Sequence, residues 1–185
     1  MKSGVRALGV AESFSDARST LAGVVVRASR VVDGFAFGSC TVGGTDATDA
    51  IVALFDDLGR EDVRYLLVSG VAPAWFNIID LHALHGRVER PVISVSYEGS
   101  EGLTPALEAQ FDGDALTTRL ETYRRQPSRR ELAINDETVY VRSVGIDDGE
   151  ADDVVREFTP EGGRPEPLRV ARLAARALDQ RESAE

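Results

Sequence analysis

The chain has 185 residues, of which 43% are hydrophobic, so its length is sufficient for one domain over 1-185 with a proper buried core. No run of about 18 apolar residues occurs, and the amino terminus lacks an apolar signal region. We therefore expect no membrane span, no secretory leader and a cytoplasmic location. Cys40 is the only cysteine, which excludes an internal disulfide and a cysteine-built zinc site.

The charge balance is strongly acidic, with 21 basic against 31 acidic side chains and a net charge of −10. Lys2 is the only lysine, and every other basic residue is arginine. An acidic chain almost without lysine is typical of proteins adapted to molar salt, where self-repulsion is screened. We therefore expect a halophilic protein, and in such a protein a negative net charge does not exclude nucleic-acid binding.

Short apolar runs predict three strands at the start of the chain, at Arg6–Phe14, Leu21–Ala28 and Val31–Val42. Because only Ser29 and Arg30 separate the second strand from the third, these two should form a hairpin. The remaining elements of this half are a helix at Asp46–Leu58, a strand at Val63–Val68, a helix at Phe76–His85 and a strand at Pro91–Val95.

The second half of the chain carries weaker patterns. The predicted helices are Thr104–Phe111, Asp114–Arg124, Ala151–Phe158 and Leu168–Leu178, with a hairpin of Leu132–Ile134 and Val139–Val144 between them. The polar tail Asp179–Glu185 should fray.

The resulting order, β-β-β-α-β-α-β followed by a helical and β appendix, predicts an α/β fold with a mixed sheet and helices on both faces. This is the order of the ribonuclease-H-like fold. Its chemistry lies in the crevice where the first and fourth strands end side by side.

Polar residues fall at this predicted crevice. Glu12 ends the first strand, Asp46 and Asp49 begin the first long helix, and Ser69 and Gly70 end the fourth strand. Carboxylates at such positions hold Mg²⁺ in nucleases of this fold, with Glu12 and Asp46 the strongest candidates here. Alternatively, Glu12 is only an exposed carboxylate at a strand end, Asp46 and Asp49 only favour the helix start, and Ser69 only belongs to a turn.

An aromatic segment, PAWFN, follows the fourth strand and places Trp75, Phe76 and Asn77 near the crevice. Aromatic side chains there can stack on an unpaired base. The alternative is a hydrophobic plug that seats the next helix.

A local excess of positive charge follows further along the chain, in Arg124, Arg125, Arg129 and Arg130. In an acidic chain such a cluster is suited to gripping phosphates. The alternative is a solvated loop that balances acidic neighbours.

Several segments spread over most of the chain resemble an archaeal family allied to endonuclease V and called endonuclease dU. These segments are Gly9–Phe14, Thr41–Thr48, Val68–Asp80, Pro91–Ser96, Ser143–Ile146 and Pro165–Ala171. The resemblance implies the ribonuclease-H-like fold, a Mg²⁺- or Mn²⁺-dependent endonuclease, and DNA containing deoxyuridine as partner.

The chain departs from the family pattern at its acidic positions. Ala11 and Glu12 stand where the family has paired aspartates, Gly43 replaces another aspartate, and Ser69 replaces the aspartate that ends the fourth strand. Asp46 matches. The resemblance thus implies Glu12 and Asp46 as metal ligands and Ser69 as a contact to water or phosphate.

Three hypotheses follow from this reduced acidic set. The protein is a DNA-repair endonuclease, a non-catalytic nucleic-acid-binding module on the same fold, or a protein-interaction subunit.

Overall fold

The computed structural model describes residues 1–182 and residue 184. Its sheet has seven strands in the order β3-β2-β1-β4-β5-β7-β6 within these residues. The strands are β1 Arg6–Phe14, β2 Arg18–Arg27, β3 Val32–Thr41, β4 Val63–Ser69, β5 Val92–Ser96, β6 Arg130–Ile134 and β7 Glu137–Val144. The helical segments are α1 Ala47–Leu58, α2 Pro73–Phe76, α3 Leu81–Val88, α4 Thr104–Gln110, α5 Gly113–Arg124, α6 Asp148–Glu157 and α7 Glu166–Glu182.

The strand directions confirm the predicted α/β, ribonuclease-H-like arrangement. The β2–β3 hairpin is present, and β1 lies antiparallel to β2 and parallel to β4, with Val10 opposite Val68. Because parallel strands end at the same edge of a sheet, Glu12 and Ser69 emerge side by side. The β6–β7 hairpin, expected in an appendix, instead extends the main sheet beyond β5.

The two faces of the sheet bury separate apolar layers. Helices α1 and α3 cover one face, where Leu54 and Leu84 are fully buried among the strand side chains. The other face is covered by α6 and α7, which bury Phe158 and Leu168. These layers follow from near-continuous apolar strands that are buried on both sides.

Helix α7 crosses β1 at very short range. A Cβ on Gly9 would lie 2.3 Å from the carbonyl carbon of Pro167, so only glycine permits this approach. The contact fixes α7 across β1 and carries the next turns of the helix toward the crevice.

Several predicted helices have different bounds in the structure, and α6 begins at Asp148, three residues before the predicted Ala151. The segment predicted as a helix over Phe76–His85 becomes helical only at Leu81, where the Asp80 carboxylate accepts from the Ala83 amide at 3.0 Å. Helix α7 continues to Glu182, four residues past the predicted end and into the tail expected to fray. Ser183 and Glu185 lie outside the described residues. No helix in the described residues is long and apolar enough to cross a membrane.

Candidate active site

The ends of β1 and β4 enclose a small cavity of about 240 Å³. Glu12 and Ser69, both predicted for the site, line this cavity together. Arg172 and Arg176, which the sequence analysis did not single out, line it from α7. Their four-residue spacing on a predicted helix was the available signal, since it places both on one face.

Glu12 is half-buried and held from the neighbouring strand. The Ser19 hydroxyl donates to Glu12 Oε2 at 2.6 Å, and Ser19 itself is fully buried on β2. This bond fixes the carboxylate at the cavity wall, and no donor among the described residues reaches its other oxygen.

Asp46 lies at the start of α1 but does not cap it; its carboxylate turns back toward β3. The Thr41 amide donates to both oxygens, at 3.0 and 3.2 Å, and the Thr41 hydroxyl adds a bond of 2.9 Å. Asn77 Nδ2 donates to Oδ1 at 2.7 Å. Burial raises the pKa of Asp46, but these hydrogen bonds outweigh it and lower the pKa below its ordinary value.

The two carboxylates flank Cys40, which is buried at the end of β3. Burial raises the pKa of the Cys40 thiol to about 11, and the charges of Asp46 and Glu12 add to the effect. The structure thus brings Asp46 and Glu12 to one end of the sheet, with Ser69 beside Glu12.

A divalent cation fits this arrangement poorly. A carboxylate offers about four lone-pair positions, and each Asp46 oxygen already accepts two contacts, from the shared Thr41 amide, the Thr41 hydroxyl and Asn77. Among the described residues no group of three or more His, Cys, Asp or Glu side chains could hold a metal ion. Two arginines beside Glu12 add positive charge where a cation would have to sit.

The aromatic segment forms a left-handed turn, not a right-handed helix. Ala74, Trp75 and Phe76 have φ values of 48°, 57° and 59°, which cost roughly 1–2 kcal/mol per residue for side chains with a Cβ. Trp75 is 50% exposed, whereas Phe76 packs edge-on against Phe111 at 6.1 Å. Trp75 is therefore the aromatic group presented to solvent.

Buried polar groups hold this turn in place. Arg119 is 6% exposed and donates to the carbonyls of Phe76 at 3.1 Å, Gly43 at 2.6 Å and Gly44 at 3.1 Å. The Gly43 amide donates to the Ala74 carbonyl at 2.7 Å. Arg119 thus joins the Trp75 turn to the loop that carries Asp46, a role that no pattern in the sequence indicated.

Asn77 is fully buried beneath the turn. Besides Asp46, its amide group bonds the Thr41 carbonyl at 2.8 Å and accepts from the Ala47 amide at 2.9 Å. The side chain therefore positions the turn against β3 and α1 and does not reach the surface.

The four arginines that are clustered in the sequence lie at separate places in the structure. Arg125 pairs with Asp80 at 3.1 Å on the α3 face of the sheet, and Arg130 pairs with Asp152 at 2.9 Å on the α6 face. Arg129 stacks on Tyr140 with its guanidinium 4.3 Å from the ring centre, while Arg124 is exposed. They do not form one continuous basic surface.

A second cavity, of about 210 Å³, opens on the other side of Ser69. The hydroxyls of Ser69, Ser94 and Ser96 line it together with Arg129 and Arg142. Its polar lining consists mostly of hydrogen-bond donors, with Glu98 as the carboxylate.

Comparison with known proteins identifies the family. The profile of the family described as Endonuclease dU matches residues 3–179. A UPF0215 protein of Pyrobaculum calidifontis is 36% identical over 91% of this chain and 93% of its own length.

Solved structures share the fold. A protein of unknown function from Archaeoglobus fulgidus superposes with a TM-score of 0.84 at 23% identity, covering 94% of this chain and 97% of that chain. Ciona intestinalis endonuclease V, in complex with DNA containing an inosine, superposes with a TM-score of 0.62 at 13% identity over 97% and 87% of the two chains. From the span of the profile match and the identity to the Pyrobaculum protein, the chain belongs to the Endonuclease dU family.

Proposed function

We propose that this protein is an endonuclease-V-like nuclease that binds DNA at deaminated bases, deoxyuridine in particular, and that its metal-dependent turnover is low. The left-handed turn that presents Trp75 is the observation that carries the proposal. Backbone strain of this kind persists where surrounding contacts enforce it, and it concentrates at functional sites. Here Arg119 and Asn77 enforce it next to the crevice.

The exposed indole is suited to stack on an unpaired base. Base–aromatic stacking contributes about 1–3 kcal/mol per base. Trp75 lies against the β3–α1 loop, since a Cβ on Gly43 would be 3.6 Å from Trp75 Cδ1. An inserted indole would therefore stand beside Asp46. The inosine-containing DNA bound by the Ciona endonuclease V supports the same substrate class.

The cavity beyond Ser69 supplies a place for a displaced base. Deamination replaces an exocyclic amine, which donates, with a carbonyl, which accepts, and turns the adjacent ring nitrogen from an acceptor into a donor. Arg129 and Arg142 of this cavity are donors only and match a carbonyl, whereas its serine hydroxyls can donate to a carbonyl or accept from an amine. We propose that this complementarity favours uracil over cytosine.

The proposal includes Mg²⁺ or Mn²⁺ only as a weakly bound ion, held by Glu12 and Asp46. Ser69 contributes a contact to water or phosphate. The saturated Asp46 carboxylate favours a second candidate function, a non-catalytic nucleic-acid-binding module. The two candidates share the binding step and differ only in cleavage.

The test separates binding from cleavage. Fluorescence anisotropy of labelled single-stranded and duplex oligonucleotides with one deoxyuridine, or deoxycytidine at the same position, measures binding; nicking with Mg²⁺, Mn²⁺ or a chelator measures turnover. Trp75→Ala should weaken binding about 5- to 100-fold, the equivalent of losing one stacked base. Phe35→Ala is the matched control, because Phe35 is a 52% exposed aromatic on the distant edge of β3.

Equal affinity of the wild type and Trp75→Ala, or no preference for deoxyuridine, would contradict the proposed function. Preferential binding without nicking would favour the non-catalytic candidate.

A further inference from the structure

The cavity at the ends of β1 and β4 has the charge of an anion site. Its titratable groups are one carboxylate, Glu12, and two guanidinium groups, Arg172 and Arg176. Both arginines are exposed to solvent, and neither forms an ion pair with the residues that the structure describes. Elsewhere in the described chain, arginines such as Arg130 and Arg169 do have acidic partners.

We infer that this cavity binds a phosphate group directly, with Arg172 and Arg176 as charged donors and Ser69 as a neutral donor. Guanidinium groups match the oxygens of phosphate in geometry and stay protonated at any working pH. This inference rests on the proposed function, because the cavity lies in the same crevice, and it adds the chemical group that the crevice binds. It does not depend on cleavage.

Buried polar groups lie next to Ser69. The Tyr97 hydroxyl is buried and lacks a well-formed hydrogen bond among the described residues, but the Ser69 and Arg164 side chains lie within reach of it. Arg164 stacks on the Tyr97 ring at 3.8 Å, and its Nη1 is also buried without a partner in the described chain. A buried donor left unpaired is costly, so the Tyr97 hydroxyl favours an orientation of Ser69 in which the serine oxygen accepts from it.

Ser69 can connect the two layers. Its oxygen can accept from the Tyr97 hydroxyl while its own proton is donated into the cavity. Burial raises the pKa of Tyr97 to about 12, although the charges of Arg164 and Arg172 lower it. The hydroxyl therefore stays protonated and able to donate. Arg172 and Ser69 line the same cavity, so the charge of Arg172 acts where Ser69 donates.

The direction in which Glu12→Gln changes the affinity distinguishes direct phosphate binding from binding through a metal ion. In direct phosphate binding, Glu12 repels the ligand, so Glu12→Gln strengthens binding. If a cation bridged Glu12 and the phosphate, the same substitution would weaken binding.

The experiment measures binding in a chelator, with three probes. These are a short single-stranded oligonucleotide without terminal phosphates, the same strand with a 5′ phosphate, and inorganic phosphate. Arg172→Gln/Arg176→Gln is compared with the control Arg156→Gln/Arg169→Gln, which removes two exposed arginines whose partners are Asp153 and Glu166. Circular dichroism checks that each variant is folded.

We expect the cavity variant to lose about tenfold or more in affinity and the control to change by less than about threefold. Two lost phosphate contacts should also reduce the slope of log K against log salt by about 1.4, at ~0.7 per contact on single strands. Glu12→Gln should tighten binding. If the strand without terminal phosphates also loses affinity in the cavity variant, the site binds a phosphate of the strand backbone. If only the 5′-phosphorylated strand or inorganic phosphate loses affinity, the site binds a terminal phosphate group.

Equal loss in the cavity and control variants would overturn the inference. So would loss of wild-type binding in the chelator together with weaker binding by Glu12→Gln. If deoxyuridine preference is absent but the arginine dependence persists, the proposed function fails while the phosphate site stands.

Discussion

Asn77 donates its side-chain amide to the Asp46 carboxylate at 2.7 Å, and this bond joins the strained aromatic turn to the start of α1. The same amide group spans the Thr41 carbonyl and the Ala47 amide. One buried side chain therefore sets the position of the acidic group and of the aromatic group together.

Asn77→Ala should lower the free energy of unfolding by about 2–4 kcal/mol, because it leaves the buried Ala47 amide without its acceptor and removes one donor each from the Thr41 carbonyl and the Asp46 carboxylate. Urea denaturation measures the change. Thr118→Ala, on the exposed face of α5, should change stability by less than about 0.5 kcal/mol. An effect of Asn77→Ala no larger than that of the control would contradict the positioning role.

Arg119→Lys should release the Trp75 turn. A lysine cannot reproduce the forked contacts to the carbonyls of Phe76, Gly43 and Gly44, and the loss should cost about 1–3 kcal/mol. Trp75 is the only tryptophan, so its fluorescence anisotropy should fall as the indole gains freedom. Arg87→Lys, at an exposed pair with Asp49, serves as the control. Unchanged anisotropy in Arg119→Lys would show that the turn keeps its conformation without the Arg119 contacts.

Wild-type protein should show weak or no cleavage of deoxyuridine DNA in Mg²⁺ or Mn²⁺, since Asp46 is saturated and Ser69 carries no charge. Ser69→Asp adds a carboxylate to the cavity, but Arg172 and Arg176 line the same space and would neutralise it. We therefore expect tighter Mn²⁺ binding only in Ser69→Asp/Arg172→Gln, measured by calorimetry. Brisk, chelator-sensitive nicking by the wild type that disappears in Glu12→Ala would prove this expectation wrong.

The stability of the protein should depend on Asp33 in acid. Hydrogen bonds from Arg27 and Arg6, and a smaller one from Arg60, hold the pKa of Asp33 well below its ordinary range. A lowered folded-state pKa adds stability above the unfolded value near ~4, and this stability is lost as the pH falls further. Asp33→Asn should therefore flatten the decline of the melting temperature below about pH 4.

The control for this prediction is Asp57→Asn, an exposed aspartate on α1. It should leave the acid dependence as in the wild type. A wild-type melting temperature that stays constant from pH 5 to about pH 2 would contradict the assignment of Asp33.

The spacing of apolar residues along the chain predicts most of the strands and helices. The bounds of β1 agree residue for residue with the prediction, because an apolar run closed by turn residues has few other solutions. The segment after β4 was different. Its apolar residues fit a helix, but the left-handed turn depends on Arg119, which lies far away in the sequence.

The site was only partly accessible from the sequence. Glu12 and Ser69 could be placed together because parallel strands end at one edge. That Asp46 is saturated depends on an amide from Asn77, and the divergence of Arg125 and Arg130 depends on acidic partners on opposite faces. Such contacts between distant residues leave no local pattern.

The left-handed turn also bears on the kinetics of recognition. The conformational entropy of the Ala74–Phe76 backbone is lost when the protein folds, not when a ligand arrives. Association through Trp75 should thus occur in one phase, with a rate set by encounter and electrostatics, and without a slow rearrangement of the protein. Discrimination between bases would then arise in the lifetime of the complex, because a preformed indole meets every base at the same rate.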